Sequence, residues 1–110
     1  MKLISTPLTV EAMHRLDIDE SLPGDVEELY LANEDYSLLS NCGVFDTINL
    51  ALGKMIDEYE DENIQGFADL NTSLNILGAT FHNTQLEVVR EIMRLNQLAI
   101  KNNTGLFFYF

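Results

Sequence analysis

Side chains able to hold a cation are densest between positions 17 and 28. Asp17, Asp19, Ser21, Asp25 and Glu28 stand at positions 1, 3, 5, 9 and 12 of the calcium-loop pattern, which gathers carboxylates around a hard ion. The pattern fails where its mechanism is strictest. Position 6, which needs glycine for a sharp turn, is Leu22, and position 7 is Pro23. No metal site is expected from these residues. His14 and His82 stand far apart, and neither has a nearby motif that would supply an activating partner. Cys42 is the single cysteine, which excludes an internal disulfide and a thiol metal cluster and fits a reducing, cytoplasmic setting. No phosphate-cradling glycine loop, nucleophile elbow or zinc spacing occurs. The expectation is a protein without catalytic residues, cofactor or metal.

What remains is charge. The 110 residues carry 18 acids against 6 bases, a net charge of −12. Fourteen of the acids and one base, Lys54, fall between Asp17 and Glu62; the residues beyond hold three acids and three bases. An anionic half is thus joined to a neutral half. Its field disfavours direct contact with nucleic-acid phosphates or anionic lipid and favours a basic protein partner. Acidity on this scale also serves solubility, which is the bland reading of the same residues. The residues expected to meet a partner are Asp17, Asp19, Glu20, Asp25, Glu27, Glu28, Glu34, Asp35, Asp57, Glu58, Glu60, Asp61 and Glu62.

The elements that must present these acids follow from periodicity. A chain of this length with 46% apolar residues fits one domain with a core of its own. No apolar run approaches the ~20 residues that span a bilayer, and no apolar leader follows a basic start. Met1 to Thr9 reads as an extended segment, and Thr9 as the N-cap of a brief helix through Val10, Met13 and Leu16. Pro23-Gly24 marks a turn, and Asp25 to Glu34 reads as one or two helical turns. Val44, Phe45, Ile48, Ala51, Leu52, Met55, Ile56 and Tyr59 lie on one arc of a helix beginning near Leu38 or Val44 and ending near Tyr59. Phe67, Leu70, Leu74, Leu77 and Phe81 make a stripe on a second helix, about 63–83, whose only charge is Asp69 and which is therefore expected to be the central helix of the fold. Thr84 and Glu87 have capping-box spacing and open a last helix to about 102, on which Leu86, Val88, Val89, Ile92, Met93, Leu95, Ala99 and Ile100 cover about half the circumference. Leu106 to Phe110 is an apolar tail expected to pack as a strand or hook, with Met1 to Ile4 as its pairing partner.

The expected fold is mainly α: an antiparallel three- to four-helix bundle with short extended termini, residues 1–110 forming one domain. The expected function is a small acidic regulator or inhibitor that docks an anionic face on a basic surface, such as one that meets nucleic acid. The alternative is an assembly subunit or chaperone-like adaptor acting as a homodimer. It would associate through apolar or uncharged positions out of phase with their helices: Leu50, Thr72, Ser73, Ile76 and Leu98.

Overall fold

The computed structural model describes residues 2–110. The expected mainly α bundle is overturned: the chain is an α/β fold with a four-stranded antiparallel sheet and five helices. The order is β1 (Lys2–Pro7), α1 (Val10–Asp17), β2 (Val26–Leu31), α2 (Asn33–Asn41), α3 (Val44–Leu52), β3 (Asp61–Gln65), α4 (Phe67–Thr84), α5 (Glu87–Asn102) and β4 (Gly105–Tyr109). Strands lie in the order β2-β1-β4-β3. The two ends of the chain do pair, with Leu3 opposite Tyr109 and Ser5 opposite Phe107, but as the inner strands of the sheet. Met1, the first residue of the segment expected to pair there, lies outside the described residues.

Alternation along each strand separates two faces. Ile4, Leu29, Leu31, Ile64, Leu106 and Phe108 face the helices and join one core with Leu39, Ile48, Leu77, Val89, Ile92 and Leu95. Tyr36, Phe45, Phe108 and Phe110 meet there edge-on or tilted, with ring centroids 5.3–6.2 Å apart. The helix that lies across the sheet is α5, which packs on β1, β2 and β4. The helix that looked central, α4, flanks α5 instead. Its buried positions are Leu70, Ser73 and Leu77, while Phe67 is 68% exposed. The stripe is therefore rotated from the one the apolar spacing predicts.

Local chemistry explains the other departures. The long helix expected to reach Tyr59 stops at Gly53, whose φ of 65° caps α3, a conformation that glycine adopts without steric cost. The acids after it therefore occupy a loop and β3 rather than the end of that helix. The expected helical turns after Asp25 are β2. The capping box is not formed: Thr84 Oγ1 donates to the Thr80 carbonyl, and α5 is capped by Leu86 without a side-chain bond. Thr9 does cap α1, its hydroxyl accepting the Ala12 N–H at 2.9 Å. Gly105 opens β4 where a Cβ would lie 3.0 Å from the Ile64 carbonyl and 2.7 Å from Gln65 Cγ. A larger residue would push β3 away.

Candidate functional site

The second face of the sheet carries Leu3, Ser5, Phe107, Tyr109, Asp61, Asn63 and Gln65, by the same alternation. Only α1 crosses it. Ala12 is buried there, and Met13 and Leu16 are half-buried beside Phe107 and Tyr109. One helix of 8 residues is too short to cover four strands, so a groove remains along the seam between α1 and the sheet.

Its acidic rim is held by a structural ion pair. Arg15 donates Nε–H and Nη2–H to the two Asp25 carboxylate oxygens, both at 2.7 Å. The Leu22 N–H donates to the same carboxylate at 2.9 Å. The Arg15 bonds first, and then the Leu22 bond, hold the Asp25 carboxyl down at about 2. This pin folds the 18–25 loop back against α1 and leaves Asp17 and Asp19 facing β3. Asp19 itself takes a left-handed φ of 57°, which an aspartate tolerates better than most residues.

Across the groove β3 supplies Asp61 and Asn63, and Phe107 and Tyr109 of β4 form the floor. Their rings stack at 6.4 Å with an interplanar angle of 16°. The hollow between these walls measures about 240 Å3, below the ~300–1,000 Å3 of small-molecule sites. A second hollow of about 210 Å3 shares Asp17 and Phe107 with it and adds Met13, His14 and Gln65. Each hollow by itself has room for a side chain of a partner. The Tyr109 phenol is held above its ordinary pKa, first by burial and then by Asp61, Asp19 and Asp17. The phenol thus senses a negative field inside the groove.

The bases are otherwise engaged. Lys2 pairs with Glu58 at 3.1 Å, Lys54 with Glu62 at 3.9 Å, Arg90 with Glu87 at 2.6 Å and Arg94 with Glu27 at 3.8 Å. With Arg15 on Asp25, every base except Lys101 is in an ion pair among the described residues. Among the described residues none of these pairs reaches Asp17, Asp19, Glu20 or Asp61.

The acids expected to act together are thus distributed. Asp17, Asp19, Asp61 and Glu62 line the groove, with exposed Glu20 next to it in the loop. Asp25 is buried on Arg15, so neither it nor Glu28, out on β2, completes a calcium loop with Asp17 and Asp19. Glu27 and Glu28 lie on β2 at the opposite edge of the sheet, and Glu34 and Asp35 in the first turn of α2. Asp57, Glu58 and Glu60 sit in the loop before β3. There Asp57 and Glu58 add to burial in raising the Tyr36 phenol. Of the five positions expected to self-associate, Leu50 is 89% exposed on α3. Ser73 is buried against Asn96 of α5; Ile76 and Leu98 are half-buried on the core; Thr72 Oγ1 donates to the Ala68 carbonyl. His14 and His82 are both exposed, and Cys42 is half-buried with its thiol on the Leu39 carbonyl. The sequence does not single out Phe107 and Tyr109 as the groove floor, because every position from 107 to 110 is aromatic.

No protein-family model, curated protein or solved structure matches this chain. Among the described residues no group of three or more His, Cys, Asp or Glu side chains is placed to hold a metal ion, and no helix is long and apolar enough to cross a membrane.

Proposed function

We propose that the chain is an acidic protein-binding regulator that docks on a basic surface of its partner and acts by occupying that surface rather than by catalysis. The observation that carries the reading is the groove itself. Asp17, Asp19 and Asp61 converge from two separate segments onto stacked Phe107 and Tyr109, and no base among the described residues pairs with them. A guanidinium or ammonium group placed there gains carboxylate partners and an aromatic face at once. The partner is therefore a protein presenting arginine or lysine, such as one whose basic surface otherwise meets nucleic acid. A reducing, cytoplasmic location accords with the single thiol, Cys42.

Calorimetric titration with an arginine-rich peptide tests this. The triple variant Asp17→Asn, Asp19→Asn, Asp61→Asn removes three exposed charges, each worth about 0.2–1 kcal/mol against a facing cation. The expected loss is about 3- to 100-fold in affinity, converting at 1.4 kcal/mol per decade. Equal binding by parent and variant, at equal fold stability, would leave the acids with a solubility role only.

A further inference from the structure

The sheet has two outer edges, and they are treated differently. Hydrogen-bonded and non-bonded pairs alternate along an antiparallel ladder, so one bond fixes the phase of each edge. The Leu8 N–H donates to the Asp25 carbonyl at 2.9 Å, one step beyond the Pro7–Val26 pair. Glu27, Leu29 and Leu31 therefore turn their backbone groups towards β1, and Val26, Glu28 and Tyr30 turn theirs outward. At the other edge the Phe110 N–H donates to the Glu60 carbonyl at 3.2 Å, which turns Asp61, Asn63 and Gln65 outward from β3.

The central outward donor of β3 is already taken. The Asn63 N–H donates to Glu62 Oε1 at 2.9 Å, and Glu62 Oε2 accepts the Met55 N–H at 3.0 Å, drawing the preceding loop onto that edge. Among the described residues no side chain or loop makes a comparable bond to the outward groups of Val26, Glu28 or Tyr30. An uncapped edge of 6 residues is a template for another strand.

The surroundings define what such a strand would carry. Side chains of an added strand point alternately to the two faces of the sheet. On one face they meet Glu28 and Tyr30, the latter 58% exposed. On the other they meet a hollow of about 210 Å3 where Leu29 adjoins Asp35, Glu87 and Glu91. Both sides are acidic on balance: Arg94 and Arg90 pair with Glu27 and Glu87, and Glu28, Asp35 and Glu91 pair with no base among the described residues. A second copy of the chain would bring its own Glu27 and Glu28, and a charge of −12, against them. A strand with lysine or arginine at alternate positions meets complementary charge instead.

We propose that β2 is a strand-addition site for an extended basic segment of a partner protein. The partner's charge rests on the reading given above; the backbone pairing does not. The probe is a fluorescein-labelled heptapeptide alternating lysine and valine, followed by anisotropy. Glu28→Pro removes an outward N–H that β1 does not use, a place where edge strands tolerate proline. Glu28→Gln removes the same charge and keeps the N–H. The expected result is at most about fivefold weaker binding for Glu28→Gln, the size of one exposed charge pair. Glu28→Pro should lose at least about tenfold, adding a lost backbone bond and a steric block. If Glu28→Pro fails to fold, the same peptide N-methylated at its valine or its lysine amides is titrated against the parent. One of these two must lose at least about tenfold, because one set of amides faces β2. Equal losses for the two Glu28 variants, or equal binding of all three peptides, would overturn strand addition and leave acidic docking standing. No binding of any peptide would overturn both. A parent dimer that Glu28→Pro turns into a monomer would give the edge to a second copy and likewise overturn the proposal.

Discussion

Ser73→Ala is the substitution whose consequence follows most directly from the geometry. The Ser73 hydroxyl donates to Asn96 Oδ1 at 2.6 Å, and Asn96 Nδ2–H donates to the Leu70 carbonyl at 2.9 Å. Both residues are fully buried between α4 and α5. Removing the hydroxyl leaves Asn96 Oδ1 in the core without a donor, which costs about 1–3 kcal/mol. That is a large share of the ~5–15 kcal/mol that holds a domain together. Asn96→Leu added to Ser73→Ala removes the orphaned acceptor and should recover at least about 1 kcal/mol, because an apolar pair of similar shape is nearly neutral. Asn96→Leu alone should cost less than Ser73→Ala, since the Ser73 hydroxyl has the Leu70 carbonyl 2.9 Å away as a second acceptor. Urea unfolding followed by far-ultraviolet circular dichroism measures all three, and the midpoint should not depend on protein concentration, because the pair lies within one chain. A Ser73→Ala variant within about 0.5 kcal/mol of the parent would refute the reasoning, as would a double variant weaker than the single. A concentration-dependent midpoint would move Ser73 to an interface between copies.

Two further outcomes follow from charge. Folding lowers the Asp25 pKa to about 2 from an unfolded value of ~3.9, so the unfolded chain binds more protons than the native one between those limits. Stability contributed by the Arg15–Asp25 pin is therefore complete above pH ~4 and is lost as pH falls towards 2; acid unfolding curves of Asp25→Asn should be flatter than the parent's across that window. At −12 the native state repels itself, so raising salt from 0.05 to about 0.5 M, where the screening length falls well below ~10 Å, should raise the melting temperature. A fall instead would mean that the ion pairs of Arg15, Lys2 and Arg94 outweigh the net field.

The extents of α1, α4 and α5 were legible because a single apolar stripe specifies each, whereas α2 was not read as a helix of its own and α3 ends at Gly53 rather than near Tyr59. Thr9 with Val10, Met13 and Leu16 located α1, and Val88, Val89, Ile92, Leu95 and Ala99 located α5. The strands were not, because each is specified by residues distant in sequence. In β3 only Ile64 is apolar, and it becomes a core residue through pairing with Leu106. In β2 each face carries a glutamate, Glu27 on one and Glu28 on the other, which hides the alternation and resembles an acidic helix. β4 is apolar on both faces, so no polar residue marks which aromatics stand in the groove. The acids of the site were visible by composition. Their sorting into a groove set, a β2 set and the structural Asp25 depended on the sheet order, which pairs residues 3 and 109.

The proposed docking of basic side chains in the groove between α1 and the sheet can be followed in solution. Titrating 15N-labelled protein with an arginine-rich peptide and mapping amide shifts tests it residue by residue. Saturable shifts should centre on Asp17, Asp19, Asp61, Phe107 and Tyr109, weaken with added salt and be absent with an acidic peptide of equal length. Shifts spread evenly over all the acidic segments, or no saturation at these five residues, would contradict it.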